Sequence, residues 1–127
     1  MNTYDTLLIS SPASHVVQIT LNRPDFANAF NTQMALDLVD VFESLSMDPS
    51  ETRAIILTGS GTRAFCAGGD LKERNGMSNA AWSKQHLIYE RMARAVITCP
   101  IPVIGAINGA AYGGGCELAA AVDFAYV

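Results

Sequence analysis

The chain has 127 residues, half of them hydrophobic, and a formal net charge of −4 at pH 7. This length allows one domain with a buried core. The net charge is negative and the sequence has no block of basic residues, so the chain has no long-range electrostatic field that would attract nucleic acid. We therefore expect no nucleic-acid partner.

The first half of the chain predicts a hairpin followed by a helix. Short aliphatic runs at Leu7–Ser10 and Val16–Leu21 flank a Ser-Pro-Ala-Ser turn. Asn31 can cap a helix that ends near Pro49. Apolar residues recur along that helix at one-face spacing: Met34, Leu38, Val41, Phe42 and Leu45.

The middle of the chain combines a strand with a glycine-bearing helix start. A β-rich run from Ala54 to Thr58 and a short apolar piece at Ala64–Cys66 precede Ala-Gly-Gly-Asp. Asp70 followed by Glu73 matches a capping box, so a helix is predicted to begin at Asp70.

The last third continues the alternation of helix and strand. A helix passes through an apolar stripe and stops before Pro100; the stripe consists of Trp82, His86, Tyr89, Ala93 and Val96. A strand at Pro102–Ile107, a helix at Gly114–Val122 and a strand from Phe124 follow. This alternation predicts an α/β architecture.

The glycine run Gly113–Gly115 is the most informative feature. It leads into an Ala-rich helix, whose first N–H groups lack partners and lie at the positive end of the helix dipole. Glu117 follows about one turn later, which is the layout of an oxyanion site beside a carboxylate base. Its small and apolar neighbours predict a mostly buried helix, although a solvated carboxylate that favours the helix dipole is the alternative.

Three motifs occur together in the chain: LNRPDFANAFN (21–31), AFCAGGDLKE (64–73) and NGAAYGGGCELA (108–119). In this order and spacing they resemble the crotonase (enoyl-CoA hydratase/isomerase) superfamily. The resemblance implies the ClpP/crotonase spiral of ββα units and an enzyme of acyl-CoA and fatty acid metabolism. It also implies that residues 1–127 are the N-terminal part of one truncated crotonase-like domain.

The resemblance further implies roles for single residues. Gly69 and Gly114 match the two oxyanion N–H donors, and Glu117 matches one of two catalytic acids, the second lying beyond Val127. The acyl-CoA binding positions would be Ala29, Ala67, Gly68, Gly69, Asp70, Leu71, Lys72 and Gly114. Lys72 could reach a CoA phosphate, although a solvent-exposed helix lysine is an equal alternative, and Arg23 is a further phosphate candidate. Coenzyme A enters as part of the substrate, and no other cofactor is implied.

Two competing motifs are rejected. The sequence GSGTRA (59–64) has the form of a dinucleotide fingerprint, but two more glycines follow it instead of a long helix. Gly105, Gly109 and Gly113 have the spacing of a transmembrane dimer face, but polar residues and prolines interrupt the stretch, so no membrane contact is expected.

The cysteines and histidines favour neither a disulfide framework nor a metal site. Cys66, Cys99 and Cys116 are odd in number and lack CxxC spacing, which indicates reduced thiols in a cytoplasmic protein. Cys66 and Cys116 are interpreted as small packing residues. His15 and His86 lack neighbours at ligand spacing, and His86 is predicted to be a core or pocket-wall residue.

Enoyl-CoA hydration is the favoured reaction. Another crotonase-family reaction stays open, whether enoyl-CoA isomerisation, acyl-CoA hydrolysis or decarboxylation. A catalytically inactive fragment or an interaction module is the alternative from another class. The full-length protein is expected to be a homo-oligomer, a trimer or hexamer, and the 127-residue chain to be oligomeric or aggregation-prone.

Overall fold

A computed structural model describes residues 3–127. Its strands are β1 (Leu7–Ala13), β2 (Val16–Leu21), β3 (Ala54–Gly59), β4 (Ala64–Cys66), β5 (Val103–Ala106), β6 (Ala110–Ala111) and β7 (Phe124–Tyr126). Strands β1, β2, β3, β5 and β7 form one sheet in that order, and β4 pairs with β6 in a second, small sheet. The β1–β2 pair is antiparallel and the others are parallel. The predicted α/β class is confirmed.

The helices are α1 (Thr32–Met47), α2 (Leu71–Arg74), α3 (Asn79–Ile97) and α4 (Gly114–Ala121), with a 3-10 turn at Pro24–Phe26. The predicted start of α1 is confirmed, because the Asn31 side chain accepts a hydrogen bond from the Met34 N–H at 2.9 Å. All five predicted apolar positions of α1 are buried. They join the apolar side chains of the sheet and part of α3 in one core.

The hairpin differs from its prediction. Strand β1 continues through Pro12 to Ala13, so the turn shrinks to Ser14 and His15, and His15 adopts a positive φ of 65°. The register shifts between Ser10 and Ala13. Pro12 is tolerated because β1 lies at the edge of the sheet, where a missing N–H costs no ladder hydrogen bond.

Only half of the predicted capping box at α2 forms. Asp70 Oδ1 accepts hydrogen bonds from the N–H groups of Lys72 and Glu73, as expected. The Glu73 carboxylate does not return to Asp70, whose N–H already donates to the Phe30 carbonyl. It accepts instead from the Thr32 N–H at 2.8 Å and the Thr32 hydroxyl at 3.0 Å. The first turn of the long helix α1 offers the carboxylate an unpaired donor and a stronger dipole.

A buried asparagine fixes the segment before α1 to the β3–β4 connection. The Asn28 Nδ2 donates to the carbonyl oxygens of Ser60 and Ala64, each at 3.0 Å. Its Oδ1 accepts from the Arg23 N–H at 2.9 Å. Because Asn28 is 1% exposed, losing these partners would leave a buried amide unsatisfied. Asn28 therefore holds two of the three sequence motifs together.

Within residues 3–127, none of the helices combines the length and the apolar character needed to cross a membrane.

Candidate active site

The two glycine turns predicted to form the site are in contact. Gly68 has a φ of +93°, and a Cβ there would lie 2.8 Å from the Tyr112 carbonyl oxygen and 3.3 Å from the Gly114 nitrogen. A Cβ on Gly115 would lie 2.0 Å from the Cys66 carbonyl oxygen. Only glycine permits the end of β4 and the start of α4 to approach this closely.

Gly69 and Gly114 present unpaired N–H groups. Gly114 is the first residue of α4, and the preceding Gly113 supplies no side-chain cap. Gly69 forms a parallel β-bridge with Phe30. The two hydrogen bonds of this bridge involve the Gly68 carbonyl and the Asp70 N–H, so the Gly69 N–H takes no part in it. Among residues 3–127 neither N–H has an acceptor. Such unpaired donors are suited to an oxygen on which negative charge develops.

One cavity of about 340 Å³ collects the predicted catalytic residues. It is lined by Phe30, Gly69, Arg74, His86, Tyr89, Glu90, Met92, Ala93, Gly114, Glu117 and Leu118. Gly69, Gly114 and Glu117 are all present, and the prediction that His86 lies in a core or pocket wall is confirmed. Phe30, Arg74, Tyr89 and Glu90 were not predicted as site residues.

The other predicted binding residues lie outside this cavity: Ala29, Ala67, Gly68, Asp70, Leu71 and Lys72. Leu71 and Lys72 are exposed on α2, and Ala29 is buried. Their contacts with an acyl-CoA stay predictions.

Arg23 is held inside the fold instead of facing a phosphate. Its guanidinium donates to the Ala29 carbonyl at 2.7 Å and to Asp70 Oδ2 at 3.2 Å. Only 14% of the Arg23 side chain is exposed. Its interpretation as a phosphate ligand is therefore wrong, and its role is to tie Asp70 to the segment before α1.

Glu117 lies at the cavity, but the predicted burial of its helix is wrong. On α4 only Gly115 and Leu118 are buried, and Glu117 and Cys116 are exposed. The outer face of α4 has no packing partner among the described residues. The Glu117 carboxylate has no hydrogen-bond or ion-pair partner within residues 3–127, so its oxygens are available to a water molecule or a substrate.

An aromatic pair forms the wall next to both glycines. The rings of Phe30 and Tyr89 meet edge to face, with centroids 4.9 Å apart. Burial, followed by the charge of Glu73, raises the pKa of Tyr89 to about 12. Its hydroxyl therefore remains a hydrogen-bond donor throughout the neutral and mildly alkaline range.

Arg74 and the His86 ring continue the cavity lining, and Trp82, which is not part of the lining, contacts both. The rings of Trp82 and His86 are tilted by 36° to each other with centroids 3.8 Å apart, and the Arg74 guanidinium lies 5.7 Å from the Trp82 ring centroid. No carboxylate within residues 3–127 forms an ion pair with Arg74. The cavity thus has apolar rings on one side and charged groups at its margin. Residues 3–127 contain no group of three or more metal-ligating side chains.

We expect Cys66 and Cys116 to differ sharply in reactivity. Burial raises the pKa of the Cys66 thiol to about 11, although backbone groups of Gly68 and Phe30 oppose the shift. Cys116 is exposed, so its interpretation as a packing residue is wrong. A maleimide at neutral pH should therefore label Cys116 within minutes and Cys66 only after unfolding.

Mass spectrometry of digested protein locates the label, and Cys116→Ser provides the control because it should lose the fast reaction. Rapid labelling of Cys66 in the folded chain would contradict its burial.

The comparisons with known proteins agree with this fold. A family model described as enoyl-CoA hydratase/isomerase matches residues 12–127. Bacillus subtilis YngF, which has the provisional name enoyl-CoA hydratase/isomerase, is 42% identical over 119 residues, covering 94% of this chain and 45% of that protein. The rat mitochondrial Delta(3,5)-Delta(2,4)-dienoyl-CoA isomerase is 34% identical over 134 residues, covering 97% and 40%.

A solved structure supports the same assignment. The crystal structure of an enoyl-CoA hydratase from Bacillus anthracis superimposes with a TM-score of 0.91 at 39% identity, covering 95% of this chain and 46% of that one. The fold and its paired glycine turns are those of a crotonase-type protein. The chain belongs to the enoyl-CoA hydratase/isomerase family. It spans less than half the length of these three proteins.

Proposed function

We propose that the protein containing this sequence hydrates a 2-enoyl-CoA thioester. The observation that supports this best is that Gly69, Gly114 and Glu117 line one cavity, two with unpaired N–H groups and one with an unpaired carboxylate. A donor pair beside a carboxylate is suited to a reaction in which charge develops on one oxygen while a proton moves nearby.

In the proposed reaction, the thioester oxygen accepts hydrogen bonds from the Gly69 and Gly114 N–H groups. Glu117 orients a water molecule and takes one of its protons as the water oxygen bonds to C3. The electrons of the double bond move through C2 towards the thioester oxygen and form an enolate. The proton taken by Glu117 is then delivered to C2, which completes the addition of water and restores the carboxylate. Each N–H donor typically stabilises such a transition state by about 3 kcal/mol.

Isomerisation is the second candidate, because the rat relative is named as a dienoyl-CoA isomerase. The same pair of N–H donors would stabilise the enolate that forms when a proton leaves a carbon atom of the substrate; that proton would then return to a different carbon, and no water would add. The retained acid Glu117 favours the hydratase. Hydrolysis, decarboxylation and an inactive or purely interacting protein remain the further alternatives.

Turnover of a matched set of thioesters tests the proposal. We expect 2-enoyl-CoA to be consumed faster than 3-enoyl-CoA, 3,5-dienoyl-CoA, saturated acyl-CoA or malonyl-CoA, as followed by loss of its ultraviolet absorption. Mass spectrometry should show the gain of one water. Faster shift of a double bond without mass change would identify an isomerase, and no turnover of any thioester would identify an inactive protein.

The proposal includes no resident cofactor, since coenzyme A arrives with the substrate. Assembly into trimers or hexamers and a cytoplasmic location stay predictions, and the rat relative is named as mitochondrial.

A further inference from the structure

The backbone around Gly69 is set by Phe30. The Phe30 N–H donates to the Gly68 carbonyl at 2.9 Å, and the Asp70 N–H donates to the Phe30 carbonyl at 3.0 Å. These two bonds flank Gly69 on both sides. The direction of the Gly69 N–H therefore depends on where the Phe30 peptide groups lie.

Tyr89 holds the Phe30 carbonyl from a different helix. The Tyr89 hydroxyl donates to that carbonyl oxygen at 3.2 Å, beside the bond from Asp70. A Cβ on Gly69 would lie 3.9 Å from the Tyr89 ring. Because α3 has 19 residues and packs on α1, it supplies a fixed support for this contact.

The Phe30 ring also limits the position of Gly114. A Cβ there would lie 2.4 Å from Phe30 Cζ, so the ring occupies the space that a side chain would need. Phe30 thus touches one proposed donor through its backbone and the other through its ring. The T-shaped contact with Tyr89 holds that ring in place.

We propose that Tyr89 and Phe30 are positioning residues of the oxyanion site, Tyr89 by fixing the Phe30 carbonyl and Phe30 by setting the spacing of Gly69 and Gly114. Neither residue exchanges a proton with the substrate. This inference rests on the proposed function, because the site must stabilise a thioester oxygen for the spacing to matter.

Removal of a single hydroxyl tests the inference. In Tyr89→Phe we expect kcat for 2-enoyl-CoA hydration to fall about 3- to 10-fold, the range of one neutral hydrogen bond, with KM changed less than about twofold. Tyr4→Phe is the matched control, because the Tyr4 hydroxyl donates to Asp40 Oδ2 at 2.7 Å elsewhere in the fold. It should retain the wild-type kcat.

A spectroscopic measurement separates positioning from general damage. A conjugated dienoyl-CoA absorbs at longer wavelength when its thioester oxygen accepts hydrogen bonds, and this shift should be smaller in Tyr89→Phe than in Tyr4→Phe. Phe30→Leu, which keeps an apolar side chain but loses the ring, should reduce the shift further. Circular dichroism and the melting temperature establish that each variant is folded.

The outcomes distinguish this inference from the proposed function. If the wild type neither shifts the dienoyl absorption nor hydrates a 2-enoyl-CoA, the proposed function fails. If it does both and Tyr89→Phe behaves identically, or changes only KM, the positioning role is wrong. NMR order parameters of the Gly69 and Gly114 N–H groups, measured without ligand, should fall in Tyr89→Phe and stay at the wild-type values in Tyr4→Phe. Unchanged values would overturn the inference whatever the reaction.

Discussion

Replacing Glu117 by Gln is expected to lower kcat for 2-enoyl-CoA hydration by about 10²–10⁴-fold, the usual effect of losing a general acid–base group. The amide keeps the size of the side chain but cannot take a proton from water. Glu117 is exposed at the cavity and has no partner within residues 3–127, so the substitution breaks no internal hydrogen bond. The melting temperature should therefore stay close to that of the wild type.

Glu90→Gln provides the comparison, since Glu90 lines the same cavity from α3. Its effect on kcat should be far smaller, because the general base role is assigned to Glu117. Stopped assays of hydrated product would measure both variants. A Glu117→Gln protein that hydrates at the wild-type rate would show that this carboxylate takes no part in the reaction.

Replacing Gly114 by Pro is expected to abolish measurable turnover. Proline removes the N–H donor. Because Gly114 is the first residue of α4, a position at which helices tolerate proline, the variant is expected to fold. The new ring atoms would also meet the Phe30 ring, whose Cζ lies 2.4 Å from the position of a Cβ on Gly114. Gly114→Ala introduces that same contact but retains the N–H.

The ratio of the kcat values of Gly114→Ala and Gly114→Pro measures the contribution of the Gly114 N–H donor. We expect Gly114→Pro to be at least about 10²-fold slower than Gly114→Ala, which corresponds to the loss of one oxyanion hydrogen bond. Circular dichroism must show that both are folded. Equal rates for the two folded variants would exclude the Gly114 N–H from the oxyanion site.

Much of the fold was predictable from local sequence patterns. The helix cap at Asn31 and the apolar stripe of α1 depend on residues that are close together in the sequence. The same is true of the aliphatic runs that form β2, β3 and β5. Gly69 and Gly114 were identified from the motifs that carry the family resemblance, next to Gly68 and Gly115, where a close backbone approach requires glycine. Local patterns of this kind need no knowledge of which distant segments meet.

The sequence-based predictions were wrong where a polar side chain could bond to several groups that are far away in the chain. Glu73 bonds to the start of α1 instead of its own helix cap, and Arg23 pairs with Asp70. The residues next to Glu73 and Arg23 in the sequence do not identify those partners. Similarly, the composition around Glu117 predicted burial, but burial depends on which elements cover α4.

Phe30 and Tyr89 were not predicted as site residues for another reason. Each is an apolar position next to a helix cap or on a helix stripe, and core packing explains such positions adequately. Their relation to the glycines exists only after α3 has packed beside the segment before α1. A long-range contact of this kind has no local signature.

The parallel pairing of β2, β3, β5 and β7 has a consequence for how the protein acquires its activity. Each parallel neighbour is reached through a crossover, so most sheet contacts join residues distant in the chain, and folds of high contact order form slowly. Phe30, Gly69 and Gly114 come from three successive crossovers. We therefore expect these three residues to come together only as the parallel strands on either side of each crossover pair. Substitutions that delay sheet formation can reduce the yield of active protein without touching any residue of the cavity.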